Sequence, residues 1–274
     1  MIGQSWGMGT GFSGEVAEYY AKYRRGYPSG LFDALQAEFG WTKDDAVLDL
    51  GCGTGQLGVP AAARVGAVIG LDPEPDMLRF AGEAAAAAGA GNTVWVLGSD
   101  ADLPEIGAQI GTGRLATVLV GQALHWMRHE VLFPRLLPLL RPGGGVAVVA
   151  GGAPLWLQDS DWSHALRDCL EAYFGTRPGP TGGGSPHDRA RYARALEAAG
   201  YRDVGEIALR HTDELTVDQL IGGLFSTFSA ESLPPEPQRT ELAQRIRWSL
   251  PSGKPLIQDV EVTAVLAHAP SGPR

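Results

Sequence analysis

Residues 46 to 58, Ala-Val-Leu-Asp-Leu-Gly-Cys-Gly-Thr-Gly-Gln-Leu-Gly, constrain this chain more than any other stretch: a short apolar run passes directly into a glycine turn, and a helix-permissive segment follows from Gln56 to Arg64. Val47, Leu48 and Leu50 read as a buried strand with Asp49 at its carboxyl end, while Gly51, Gly53 and Gly55 permit positive φ and close backbone approach to a ligand. In open α/β sheets, ligands bind beyond the carboxyl ends of the strands, where helix amino termini also point. The site is expected there.

Two nucleotide chemistries compete for such a turn. Gly53, Gly55 and Gly58 satisfy the dinucleotide pattern G-x-G-x-x-G, and Asp72 follows at about the distance of a ribose-binding acid. The register opposes that reading, because the first glycine of a dinucleotide site follows the strand directly, and here Asp49 and Gly51 already hold that place. A phosphate loop of the G-x-x-x-x-G-K-[ST] type does not follow the strand either.

With Val47-Leu-Asp-Leu-Gly-Cys-Gly-Thr-Gly55 and a second strand ending Val68-Ile-Gly-Leu-Asp72, the sequence resembles the class I S-adenosylmethionine-dependent methyltransferases. Clear landmarks cover residues 15 to 150, and the remainder is similar in general layout. The resemblance implies a doubly wound, Rossmann-like α/β sheet of seven strands in the order 3-2-1-4-5-7-6, the last antiparallel, with helical cap segments over the cofactor site. Gly98-Ser-Asp-Ala-Asp-Leu-Pro104 looks like the family's adenine-contacting loop, and Val118-Leu-Val-Gly-Gln-Ala-Leu-His-Trp126 like its fourth strand and substrate-side turn.

The cofactor implied is S-adenosyl-L-methionine, and residue chemistry explains why these side chains suit it. Asp72 can accept hydrogen bonds from both ribose hydroxyls, although before Pro73-Glu-Pro-Asp-Met-Leu it would also cap a helix. Ser99 or Asp100 would meet the adenine amino group, with Ala101 beside them, Met77 would wall the ring, and Asp49 would order the turn. Gly51, Cys52, Gly53, Thr54, Gly55, Pro73, Gly121 and Gln122 complete the expected lining.

The composition agrees with a folded enzyme. At 44% hydrophobic and 19% charged residues, the 274-residue chain has ample apolar surface for a core, which excludes wholesale disorder. A net charge of −9 argues against a phosphate-backbone partner, so a small-molecule acceptor is expected rather than nucleic acid. The two cysteines, Cys52 and Cys169, form no disulfide framework, and no apolar run approaches the length of a membrane span; a reducing cytoplasm is the expected setting, with self-association left open.

Residues 1 to 13 read as a loose tail and 14 to 274 as one methyltransferase domain: an amino-terminal lid (15 to 39), a cofactor-binding core (44 to 152), and cap or substrate segments (153 to 188 and 213 to 252). The pattern predicts a helix over 75 to 88, strands at 93 to 97 and 115 to 120, and a helix over 130 to 140 stopped by Pro142-Gly-Gly-Gly145. A strand at 146 to 150, a helix at 190 to 199 and strands at 204 to 211 and 259 to 268 follow. Trp156, with Trp162, Phe225, Phe228 and neighbouring rings, is either cap packing or the wall of an apolar acceptor pocket.

The segment from Val16 to Pro28 resembles the family's cofactor-closing lid. Arg24 would pair with the cofactor carboxylate, Tyr20 would add a cofactor contact, and the hydroxyls of Tyr19 and Tyr27 would serve catalysis. His125, after the fourth strand, is the candidate general base, flanked by the candidate substrate contacts Trp126 and Met127. His125 with His129, and Asp159, Asp161 and His164, are incomplete as ligand sets, so no metal is expected. The expected activity is in-line methyl transfer to N or O of a small acceptor, in the manner of antibiotic biosynthesis. The alternatives are O-methylation of a small carboxylic acid and a non-methylating cofactor-binding protein, a pericyclase or scaffold.

Overall fold

The computed structural model describes residues 11–180 and 182–270, so most of the expected tail at 1 to 13 lies outside the described residues. Two compact units form: a sheet unit from residues 25–151, 182–209 and the chain after 262, and a helical unit from residues up to 24 with 152–181 and 210–261. The expected lid, residues 15 to 39, is divided between them at Arg24 and Arg25.

One seven-stranded sheet runs β3-β2-β1-β4-β5-β7-β6, in the expected order. Its strands are β1 (Ala46–Leu50), β2 (Ala67–Asp72), β3 (Thr93–Leu97), β4 (Leu115–Gly121), β5 (Leu140–Gly151), β6 (Arg202–Leu215) and β7 (Leu256–His268). The central strands β2, β1, β4 and β5 are parallel neighbours, and β7 runs antiparallel to β5. Central parallel strands are covered on both faces, which is why β1 and β4 are continuous apolar runs rather than alternating ones. Leu48, Leu50, Leu71, Val118, Val120 and Val146 join Phe133, Leu136 and Leu196 in one buried cluster.

The helices of the sheet unit are α2 (Ser29–Phe39), α3 (Gly58–Ala62), α4 (Pro75–Ala87), α5 (Leu103–Ile110), α6 (His129–Leu136) and α8 (Pro186–Ala198). Three boundaries differ from the sequence expectation. The helix expected over 130 to 140 stops at Leu136 and tightens into a 3₁₀ turn, because Leu140 already pairs with Leu115 as the first residue of β5. Pro142 to Gly145 therefore do not terminate a helix but form a bulge inside β5, where pairing jumps from Leu115–Leu140 to Thr117–Gly145. β6 and β7 outrun the expected 204 to 211 and 259 to 268, since charged side chains such as Asp213 and Glu214 on a half-exposed strand leave its backbone free to pair.

Inside the sheet unit, the Trp41 indole N–H donates to the Thr117 hydroxyl at 2.7 Å with both residues buried. A Thr117→Val protein keeps the volume but orphans that indole, so a loss of about 1–3 kcal/mol is expected by urea denaturation. A change below about 0.5 kcal/mol would refute this account of the bond.

The helical unit contains α1 (Glu15–Tyr23), α7 (Asp161–Phe174), α9 (Val217–Phe225) and α10 (Gln238–Ser249). Trp156, Trp162, Leu166, Leu220, Phe225 and Ile246 are among the buried residues of its own core. The side chains of Ser160 and Thr216 cap α7 and α9 through the amides of Ser163 and Gln219. Buried Arg239 pairs with both oxygens of Glu15 at 2.9 and 2.8 Å and with Glu236 at 3.0 Å, tying α1 to α10. Among the described residues no helix is long and apolar enough to cross a membrane.

Candidate functional site

The carboxyl ends of β1, β2 and β4 lie along one edge of the sheet unit, and the chain turns immediately on leaving β1. The amides of Gly51 and Cys52 both donate to the Leu71 carbonyl, at 2.8 and 3.1 Å, pinning the turn to the end of β2. Gly51 has φ +68°, and a Cβ there would stand 2.5 Å from Cβ of Ala123, so a side chain would be both strained and obstructed. Met127 closes the same spot, with its Cε 3.3 Å from that position. Gly55 N–H completes the turn on the Cys52 carbonyl at 2.9 Å. Cys52 is buried, and burial pushes its thiol up, which leaves it inert as a nucleophile. Thr54 is buried beside it.

Two carboxylates organise this edge. Asp49, 1% exposed, accepts the Gly58 amide at 2.7 Å and so holds the start of α3. Burial pushes its carboxyl up to about 7, with the Asp72 charge adding and the Gly58 hydrogen bond opposing. Asp72 ends β2; its Oδ2 accepts from Gly53 N–H at 2.9 Å and its Oδ1 from Glu74 N–H at 3.0 Å. Each oxygen retains acceptor capacity beside the glycine turn. Burial raises the Asp72 carboxyl while the same two N–H donors hold it down. Pro73 is exposed next to it.

In the loop after β3, Ser99 and Asp102 form a reciprocal cap: the Ser99 hydroxyl donates to Asp102 at 3.1 Å and accepts from Ala101 N–H at 3.2 Å. The Ser99 hydroxyl is engaged locally, whereas the Asp100 carboxylate has no hydrogen-bond or ion-pair partner among the described residues. Met77 is buried in the first turns of α4, leaving little of its surface for a ring to lie against.

At the end of β4, Gln122 adopts φ +52° and donates its amide to the Val149 carbonyl at 2.9 Å, which turns the chain sharply toward His125. The Tyr27 hydroxyl reaches this strand end, 3.2 Å from where a Cβ on Gly121 would stand. The rings of His125 and Trp126 lie 4.7 Å apart, with Trp126 39% exposed. Burial lowers the His125 pKa, against the neighbouring Asp188 charge that raises it, so the imidazole is neutral near pH 7.

Tyr19, Tyr20, Arg24 and Trp156 fall in the helical unit. Tyr19 stacks on Tyr23 and meets Phe225 edge-on at 5.3 Å, and burial holds its phenol above the usual range. Arg24 lies over the Tyr20 ring, 5.2 Å from its centroid. Trp156, expected among the substrate contacts, is 1% exposed, packs in that unit's core and donates its indole N–H to the Gly179 carbonyl at 2.9 Å; its ring is committed to packing. Among the described residues no group of three or more metal-ligating side chains comes together.

Residues 47–144 match the family model of a methyltransferase domain. An uncharacterised methyltransferase of Mycobacterium tuberculosis is 34% identical over 130 residues, and the match spans 46% of this chain and 48%, about half, of that relative. The nocamycin O-methyltransferase of Saccharothrix syringae is 30% identical over 250 residues, covering 83% of this chain and 80% of that protein. The chain belongs to the class I S-adenosylmethionine-dependent methyltransferases. Its fold is shared with a provisionally named type II methyltransferase from Anaeromyxobacter dehalogenans, at a TM-score of 0.58 and 19% identity over 92% of this chain and all of that one.

The residues of this methyltransferase suit S-adenosylmethionine. Asp72 has acceptor capacity to spare at both oxygens, the glycine turn leaves room for close approach, and Asp100 stands unpartnered one loop away. Of the residues that line a cavity with His125, sequence reasoning reached Gly182 and Gly183 only as part of the substrate segment 153 to 188, and it did not single out Arg189 and Tyr192 of α8. Arg189 and Tyr192 sit some sixty residues downstream in a charged helical pattern that carries no local sign of a site.

Proposed function

We propose that this methyltransferase transfers the cofactor's methyl group to an oxygen of a small secondary metabolite. The observation that carries the reading is a neutral, half-buried His125 at the end of β4, in the same unit as the glycine turn and Asp72. The similarity to a relative named for O-methylation of nocamycin supports oxygen as the acceptor atom and the metabolite class.

When bound, S-adenosylmethionine supplies an electrophilic methyl carbon and a neutral thioether leaving group. Asp72 would hold the ribose hydroxyls, Asp100 rather than Ser99 would meet the adenine amino group because its carboxylate is unengaged, and Asp49 keeps the turn in shape through Gly58. A hydroxyl acceptor must lose its proton as the new carbon–oxygen bond forms, and a ring nitrogen of His125 takes it. Holding the acceptor oxygen in line with the breaking carbon–sulfur bond supplies much of the remaining acceleration.

The test is S-adenosylhomocysteine release with a panel of hydroxylated polyketide, amino-sugar and carboxylic-acid acceptors, run on the wild type and on His125→Ala. With a hydroxyl acceptor, kcat at pH 7 is expected to fall about 10²- to 10⁴-fold in the variant and to recover as the pH is raised. Equal rates in the two proteins would remove His125 from proton transfer and favour an amine acceptor. Binding of the cofactor without product from any acceptor would favour a non-methylating role.

A further inference from the structure

A small cavity lies in the sheet unit at the carboxyl ends of β4 and β5, lined by Gln122, His125, Val149, Gly183, Arg189 and Tyr192 among others. Its volume is about 10 Å³, room for a single water. Tyr192, on α8, is 1% exposed, and its hydroxyl makes no hydrogen bond of good geometry among the described residues, the Arg191 guanidinium being the donor group beside it. A buried phenol left unsatisfied is costly, a water is the usual remedy, and Tyr192 is among the residues that line this water-sized cavity. His125 is its neighbour: a Cβ built on Gly183, where φ is +62°, would stand 2.6 Å from the Tyr192 hydroxyl and 2.7 Å from Cβ of His125. The absence of a side chain at Gly183 leaves room against it for both the Tyr192 hydroxyl and His125.

We propose that this cavity is a binding site for one water, held between the Tyr192 hydroxyl and a ring nitrogen of His125, and that Tyr192 is thereby the positioning residue of His125. The Tyr192 O–H donates to the water, and the water donates to the bare nitrogen of the neutral imidazole. That chain selects one tautomer and fixes the ring against Trp126, on which it packs. An acceptor hydroxyl taking the water's place meets the same bare nitrogen and receives the Tyr192 hydrogen bond on its oxygen, so this inference rests on the reading of His125 as the base.

The charged groups around the pair are few. Asp188 acts on both His125 and Tyr192. Arg189 lines the cavity and pairs with Glu206 at 2.9 Å, Arg191 lies over the Tyr192 ring, and His129 meets that ring edge-on at 5.1 Å. Burial raises the Tyr192 phenol, so it enters as a donor throughout the neutral range.

The experiment is an imidazole nitrogen NMR titration of the full-length, histidine-labelled protein without acceptor, with His125 assigned among the six histidines by its loss in His125→Gln. In the wild type, one neutral tautomer of His125 is expected, titrating below the ordinary histidine range. In Tyr192→Phe, both tautomers should appear and the midpoint should rise by about half a unit or more, because a hydrogen bond donated to the neutral form is lost. Unchanged tautomer and midpoint in a variant with a native amide spectrum would overturn the proposal. If Tyr192→Phe does not fold, crystals of the wild type decide: an ordered water within hydrogen-bond distance of both the Tyr192 hydroxyl and the His125 ring sustains it, and its absence overturns it. Either readout is independent of methyl transfer, so its failure is distinguishable from failure of the proposed activity.

Discussion

An Asp72→Ala protein is expected to bind S-adenosylmethionine and S-adenosylhomocysteine at least a hundredfold more weakly than the wild type, measured by titration calorimetry. The size follows from what is lost. Two hydrogen bonds to a buried carboxylate are worth about 1.5–3 kcal/mol each, so about 3 kcal/mol is the lower bound and a factor above one hundred its consequence. The same change also orphans Gly53 N–H and Glu74 N–H, which Asp72 holds at 2.9 and 3.0 Å. Asp72→Asn separates the two effects: it keeps one acceptor oxygen and the side chain's shape, and its affinity should fall between those of the wild type and the alanine variant. Affinity in Asp72→Ala within threefold of wild type would place the ribose elsewhere. Because a ligand that binds only the native state raises stability, the cofactor should also raise the melting temperature of the wild type and fail to do so for Asp72→Ala.

The second large effect is a pH dependence of stability that belongs to Asp49. In the unfolded chain this carboxyl titrates near 4, while burial in the fold pushes it up to about 7. Between those values the folded protein binds a proton that the unfolded chain has released, so stability falls as pH rises through the window. The contribution is fully present below about pH 4 and lost above about pH 7, amounting to at most about 4 kcal/mol. Asp49→Asn has nothing to titrate, and its amide oxygen can still accept the Gly58 N–H. The stability difference between variant and wild type should therefore grow in the variant's favour from pH 4 to pH 8, read from urea midpoints at each pH. A constant difference across that range would show that Asp49 is ionised throughout, with the Gly58 hydrogen bond outweighing burial.

Much of the candidate site was legible because its signals are local. Val47 to Gly55 contains a buried strand, an acid at its end and glycines where the backbone must turn, all within nine residues, and Asp72 closes a second strand at a spacing that suits a ribose. The strand order was legible only through resemblance to a family, since periodicity says which segments are strands and not which neighbours they choose. Boundaries failed where a distant partner outweighed local preference: Leu140 left the helical pattern for Leu115, and Pro142 to Gly145 became a bulge in β5 instead of a stop. The aromatic residues of 153 to 188 and 213 to 252 advertised a pocket equally well as a core, and Trp156 and Trp162 went to the core because their indoles found carbonyls at Gly179 and Ile257.

The sequence by itself determined the nucleotide-type turn, the acids Asp49 and Asp72 and the α/β class, because each rests on residues adjacent in the chain or on a repeating pattern. Tertiary structure alone decided that burial pushes the Asp49 carboxyl up to about 7, that Ser99 is engaged while Asp100 is free, and that Tyr192 and His125 both pack against Gly183. Burial, hydrogen-bond competition and contact between segments some sixty residues apart are properties of the packed chain, and no window of sequence contains them.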